Sequence, residues 1–104
     1  MTVVRVSRPV PVGHPAFAGH FPGQPLLPGV LLLAEVMEAA RAEPALAGLF
    51  ERPTQLQAAK FLSPVRPGAT LDIGLQVDPG GLRFEVHSAG MLCAKGRWTW
   101  SPST

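Results

Sequence analysis

His20 is the side chain best suited to move a proton, because an imidazole titrates near neutrality and can take a proton and return it within one cycle. It sits in the run Gly19-His20-Phe21-Pro22-Gly23-Gln24-Pro25-Leu26-Leu27-Pro28-Gly29-Val30. Pro22, Pro25 and Pro28 each fix a backbone angle and disfavour helix at the residue before them, so the stretch from Phe21 to Leu27 is predicted to be a stiff, extended loop. Pro28-Gly29 then gives way to an apolar segment read as a helix. Its first N–H groups lack intrahelical partners and lie at the positive end of the helix dipole, where they can bind an oxyanion or a polarised carbonyl oxygen. The loop thus sets a base at a fixed place relative to those donors.

The other reactive side chains form no such group. His14 reads as a loop residue, His87 alternates with apolar neighbours on an exposed strand face, and Cys93 reads as a small apolar strand residue. The histidines share no metal-ligand spacing, and with a single cysteine no zinc site is expected. No phosphate-binding glycine motif and no Gly-x-Ser-x-Gly is present, so neither a nucleotide cofactor nor a serine nucleophile is expected.

The elements that position His20 follow from periodicity. Thr2 to Val10 is rich in valine and alternates in its first half, predicting a strand that ends near Pro9. Val30 to Ala42 is the predicted helix. At about 100° per residue, Leu32, Leu33, Val36, Met37, Ala39 and Ala40 share one broad face, and Leu31, Ala34, Glu35, Glu38 and Arg41 the other. Pro44 stops it, and Ala45 to Phe50 has the makings of a short turn. Beyond Arg52 the pattern is strands: Thr54 to Leu62, then Thr70 to Asp78 with Leu71, Ile73, Leu75 and Val77 on one side. A hairpin at Asp78-Pro79-Gly80-Gly81 leads to Leu82, Phe84 and Val86, alternating with Arg83, Glu85 and His87. Met91 to Trp100 follows, with Leu92, Ala94, Gly96, Trp98 and Trp100 expected on one face. One strand, one long helix and an antiparallel meander make an α+β fold whose sheet must curl around the helix.

Composition bounds the rest. At 104 residues one domain, 1–104, is expected, and 46% hydrophobic with 15% charged residues is ordinary globular material. So apolar a helix in so small a domain predicts an oligomer, a homodimer first and a higher oligomer as an extension. The formal charge of +2 is spread over single Lys and Arg residues, which disfavours nucleic acid as a partner. The lone cysteine, the missing signal-peptide layout and an apolar run broken at Glu35 point to the cytoplasm, with no membrane span.

The Gly19-to-Val30 run resembles the signature of the hotdog-fold 3-hydroxyacyl-[acyl-carrier-protein] dehydratases, and Ala59-Lys60-Phe61-Leu62-Ser63-Pro64-Val65-Arg66-Pro67-Gly68 is similar to the strand and turn after their central helix. The resemblance spans nearly the whole chain, whose brevity suggests a specialised branch. It implies an antiparallel sheet wrapped around one long central helix, and dehydration of 3-hydroxyacyl thioesters, linked to acyl carrier protein or coenzyme A, to trans-2-enoyl thioesters. It makes His20 the base at C2, with Gly29 and Val30 offering amides to the thioester carbonyl and active sites lying at a subunit interface. Lys60, Arg66 and Arg97 become contacts for an acidic carrier protein or the phosphates of coenzyme A. Ala58 and Ala59 are small enough to line an acyl tunnel.

One position departs from the pattern. Where those dehydratases carry an acid that protonates the departing hydroxyl, this chain has Ala34. Glu35 is the provisional replacement, about 100° away around the helix, and Glu38 lies about one turn on. The alternatives are therefore a weakly active or inactive subunit that binds acyl thioesters or pairs with an active homologue, or a hotdog thioesterase.

Overall fold

The computed structural model describes residues 2–10, 29–46, 48, 53–66 and 68–100. His14, His20 and the proline-rich loop lie outside them. The elements are strand β1 (Thr2–Pro9), helix α1 (Gly29–Ala42), and strands β2 (Thr54–Phe61), β3 (Thr70–Asp78), β4 (Gly81–Ser88) and β5 (Met91–Trp100). All strand pairs are antiparallel, in the order β1-β3-β4-β5-β2, so β1 and β2 are the two edges.

The helix lies against one face of this sheet, as the α+β pattern requires. Leu32, Val36, Ala39 and Ala40 of α1 are buried in one cluster with Leu71, Ile73 and Leu75 of β3, Leu82, Phe84 and Val86 of β4, and Trp98 of β5. The Phe84 and Trp98 rings pack with centroids 4.7 Å apart. Burying each of the large apolar side chains among these stabilises the fold by about 1.5–3 kcal/mol, so this cluster outweighs any surface ion pair. Arg8 of β1 nevertheless ties strand to helix: Nε donates to Glu35 Oε2 at 2.9 Å and Nη2 to Glu38 Oε2 at 3.0 Å. After Ala42 the chain turns at Pro44, with the Leu46 amide donating to the Glu43 carbonyl at 2.9 Å and the Leu46 side chain closing the core.

Two turns and two bulges set the register. In the β3–β4 turn the Gly80 amide donates to Asp78 Oδ1 at 2.8 Å, a side-chain mimic of a backbone turn. The β4–β5 turn places Ala89 at φ 52° and Gly90 at φ 78°, the twin positive angles of a two-residue hairpin. Between Leu56 and Ala58 the β2–β5 register slips by one residue, and another irregularity follows Val86 in the β4–β5 pairing. The second corrects the expected face of β5. His87 pairs with Leu92 while Val86 pairs with Ala94, so Leu92 falls with the outward set and Cys93 takes up the extra step, 2% exposed.

The β2 flank is left uncovered. Leu56, Phe61 and Leu62 are 41%, 50% and 52% exposed, and Leu31 of the helix is 37% exposed. No helix among the described residues is long and apolar enough to cross a membrane.

Candidate active site at the start of the helix

Helix α1 starts at Gly29, and its first turn carries no acidic side chain to compensate the free amides. The amide end opens on a cavity of about 400 Å³ lined by Gly29, Leu32 and residues 61–65. That volume falls within the range of small-ligand sites. The lining side chains are apolar apart from the Ser63 hydroxyl, and the cavity is open on its outer side, so a hydrogen bond from the helix start to a developing oxyanion strengthens as a bound acyl chain displaces water from it.

Phe61 shapes this cavity. A Cβ added at Gly29 would lie 2.9 Å from the ring Cζ, so the ring occupies the space a side chain would need there. The bend that follows is held by the irregularity at Cys93, whose carbonyl accepts from the Leu62 amide at 2.8 Å and the Ser63 amide at 3.3 Å. Burial pushes the Cys93 thiol above its ordinary range, so it stays a neutral packing residue beneath the bend. Neither Phe61 nor Ser63 was singled out by sequence reasoning. Both stand in the Ala59-to-Gly68 run that carries the second half of the resemblance, which was the available signal.

Among the expected site residues, Gly29 and the backbone of Val30 are at the helix start. Glu35 and Glu38 are not among the cavity's lining residues; both engage Arg8 on β1, the edge opposite β2. Ala34 is exposed on the side of the helix away from the sheet. The structure thus does not bring Glu35 to Gly29 within one protomer. Lys60 and Arg97 lie on the far face of the sheet, where Ala58 also lines a shallow depression rather than the helix-side cavity, and Arg66 is exposed in the bend after β2. His87 sits opposite Asp72, outside the cavity.

Comparison with known proteins adds a family. Residues 2–97 match the sequence model of the family described as ApeI-like, ApeI dehydratase. The chain is 38% identical over 79 residues to a 3-hydroxyacyl-[acyl-carrier-protein] dehydratase FabZ of Chlamydia trachomatis, an alignment covering 67% of this chain and 50% of that protein. It therefore spans about half the length of the curated relatives it matches. Among solved structures, the dehydratase heterocomplex ApeI:P from Xenorhabdus doucetiae superposes with a TM-score of 0.81 at 26% identity, covering 96% of this chain and 88% of that one. A thioesterase from Thermus thermophilus, complexed with coenzyme A and Zn, superposes with a TM-score of 0.58 at 19% identity, covering 95% of this chain and 79% of that one; this likeness shows the shared hotdog fold alone.

Proposed function

The chain belongs to the ApeI-like dehydratase family, and from that premise we propose that it removes water from 3-hydroxyacyl thioesters carried on acyl carrier protein or coenzyme A, giving trans-2-enoyl thioesters. The observation that carries this reading is the start of α1 at Gly29, opening on an apolar cavity walled by Phe61. A thioester seated there places its carbonyl oxygen against the Gly29 and Val30 amides. His20 takes the proton from C2, the charge that spreads onto the carbonyl oxygen is stabilised by those amides, and the C2–C3 double bond forms as the C3–O bond breaks. The departing hydroxide needs a proton to leave as water. Glu35 fills that role only if it is freed from Arg8 and reaches a neighbouring protomer's cavity. Its ion pair and Ala34 favour His20 returning the same proton through a water.

The uncovered apolar flank of β2 and Leu31 supports a homodimer formed beside this cavity, with higher oligomers built on it. Cys93 as a lone thiol suits a reducing cytoplasm. The test is formation of the 2-enoyl thioester, followed by its absorbance, from 3-hydroxyacyl substrates by wild type and by Ala34→Glu. Turnover by wild type supports the reading, and a further rise in the variant shows that an acid was missing.

A second reading is favoured by Ala34 and the Arg8-bound Glu35, together with the structural likeness to a subunit of a dehydratase heterocomplex: a weakly active subunit that pairs with an active homologue. No turnover alone, with turnover restored on mixing with such a homologue, would establish it. A thioesterase instead would release free thiol.

A further inference from the structure

The outward face of the sheet gathers cations that are far apart in the sequence. Arg83 and Arg97 sit directly opposite each other on β4 and β5, Lys95 and Lys60 do so on β5 and β2, and Arg5 extends the row onto β1. These five line one shallow depression of about 540 Å³ whose floor is opened by Gly74 and Ala58. Glu85 lies within it, and Asp78 binds Arg97 Nη2 at 2.9 Å. Five cations against two carboxylates is a surplus greater than the formal net charge of the whole chain, +2.

Like charges directly opposite one another weaken a sheet; Glu85 in register with Lys95 and Asp78 bound to Arg97 offset part of that cost, and an anionic surface lying over the patch offsets the remaining surplus. Among the described residues Arg5, Lys60, Arg83 and Lys95 make no ion pair, and Arg97 Nε is buried without a hydrogen-bond partner. The depression is too broad and open to enclose a small anion. Its charge also rules out packing against the same face of a second copy, since that would bring cations against cations. An acidic protein surface fits it.

The patch and the cavity meet at the end of β2. Successive strand residues point to opposite faces, so Lys60 lines the outward depression while Phe61 lines the cavity at Gly29. A protein seated on the patch therefore has only the end of β2 and the bend at 62–65 between it and the helix start. Resting on the dehydratase reading above, we infer that this face docks the acidic surface of the acyl carrier protein, whose thioester-bearing arm passes over the bend into the cavity. Arg66 lies outside this patch, exposed just after the bend.

The test is the double charge reversal Arg83→Glu/Lys95→Glu, with circular dichroism and a melting curve to establish folding. Two substrates are compared, a 3-hydroxyacyl carrier protein and the same acyl group on N-acetylcysteamine, which lacks the carrier. We expect kcat/KM for the carrier-linked substrate to fall by about tenfold or more, through KM, with the small thioester unaffected. Carrier binding by titration should weaken in parallel, and in wild type should weaken with added salt. If the variant does not fold, the single Arg83→Gln variant replaces it, with a smaller loss of carrier binding expected. Equal loss on both substrates, unchanged carrier binding or a changed oligomeric state would each overturn the inference. Should wild type turn over neither substrate, the dehydratase reading fails, and the carrier titration alone then decides the docking surface.

Discussion

Replacing Gly29 by alanine puts a methyl group 2.9 Å from Phe61 Cζ and 3.1 Å from Cε1 and Cε2. Carbon atoms pack at about 3.5–4.0 Å, so the ring must retreat by roughly half an ångström to one ångström. Phe61 is 50% exposed and can pivot, which sets the overpacking cost near the low end of the usual range, about 1 kcal/mol. Alanine returns up to about 1 kcal/mol of helix propensity, less at a first helical position than in the interior. Gly29→Ala alone should therefore be near neutral or slightly destabilising. In a Phe61→Ala background the clash is gone and the same change should stabilise by roughly 0.5 kcal/mol. The coupling from the double-mutant cycle is then about 1 kcal/mol, or some 5 °C in melting temperature for a domain of this size at fixed protein concentration. The added methyl itself takes up room in the cavity that Gly29 lines, so KM should rise in the single variant. Stability effects that add within about 0.3 kcal/mol would refute the contact between ring and helix start.

Ala89 holds a left-handed angle, φ 52°, that non-glycine residues adopt at a cost of about 1–2 kcal/mol; Ala89→Asn should stabilise by roughly 0.5–1 kcal/mol in denaturant melts, and destabilisation would contradict the hairpin geometry. Val36 is fully buried, so Val36→Ala should cost about 2–3 kcal/mol from lost transfer energy and the cavity left behind, read from urea unfolding. Burial raises the Cys93 pKa, so the folded state holds that proton when the unfolded chain has lost it. The resulting stability contribution is complete below the thiol's ordinary value of 9.0 and declines as pH rises above it, a slope that Cys93→Ala should remove.

Where local pattern decides structure, the sequence was sufficient. β3 and β4 alternate cleanly, their hairpin carries Asp78-Pro79-Gly80-Gly81, and α1 ends ahead of Pro44, all as periodicity and turn chemistry require. The bulge at Cys93 was not legible, because a one-residue slip depends on the partner strand and moves Leu92 to the other face without altering its own neighbours. Glu35 looked available for proton delivery, but its partner Arg8 lies 27 residues away on an edge strand, beyond any helical spacing rule. The cations read as scattered because they sit on four different strands; only pairing in register brings Arg83 to Arg97 and Lys60 to Lys95. For the site, glycine and proline chemistry located the helix start at Gly29. The ring that fills the space beside it belonged to a strand more than thirty residues on.

The central claim is that one imidazole exchanges the C2 proton of a thioester whose carbonyl is held at the start of α1. Hydration of a 2-enoyl thioester in deuterated water, followed by mass spectrometry and proton NMR, tests it most directly. Wild type is predicted to deliver one deuterium to C2 of the 3-hydroxyacyl product, and His20→Ala to deliver essentially none at matched enzyme concentration. Deuterium incorporation by His20→Ala at the wild-type rate would contradict the account.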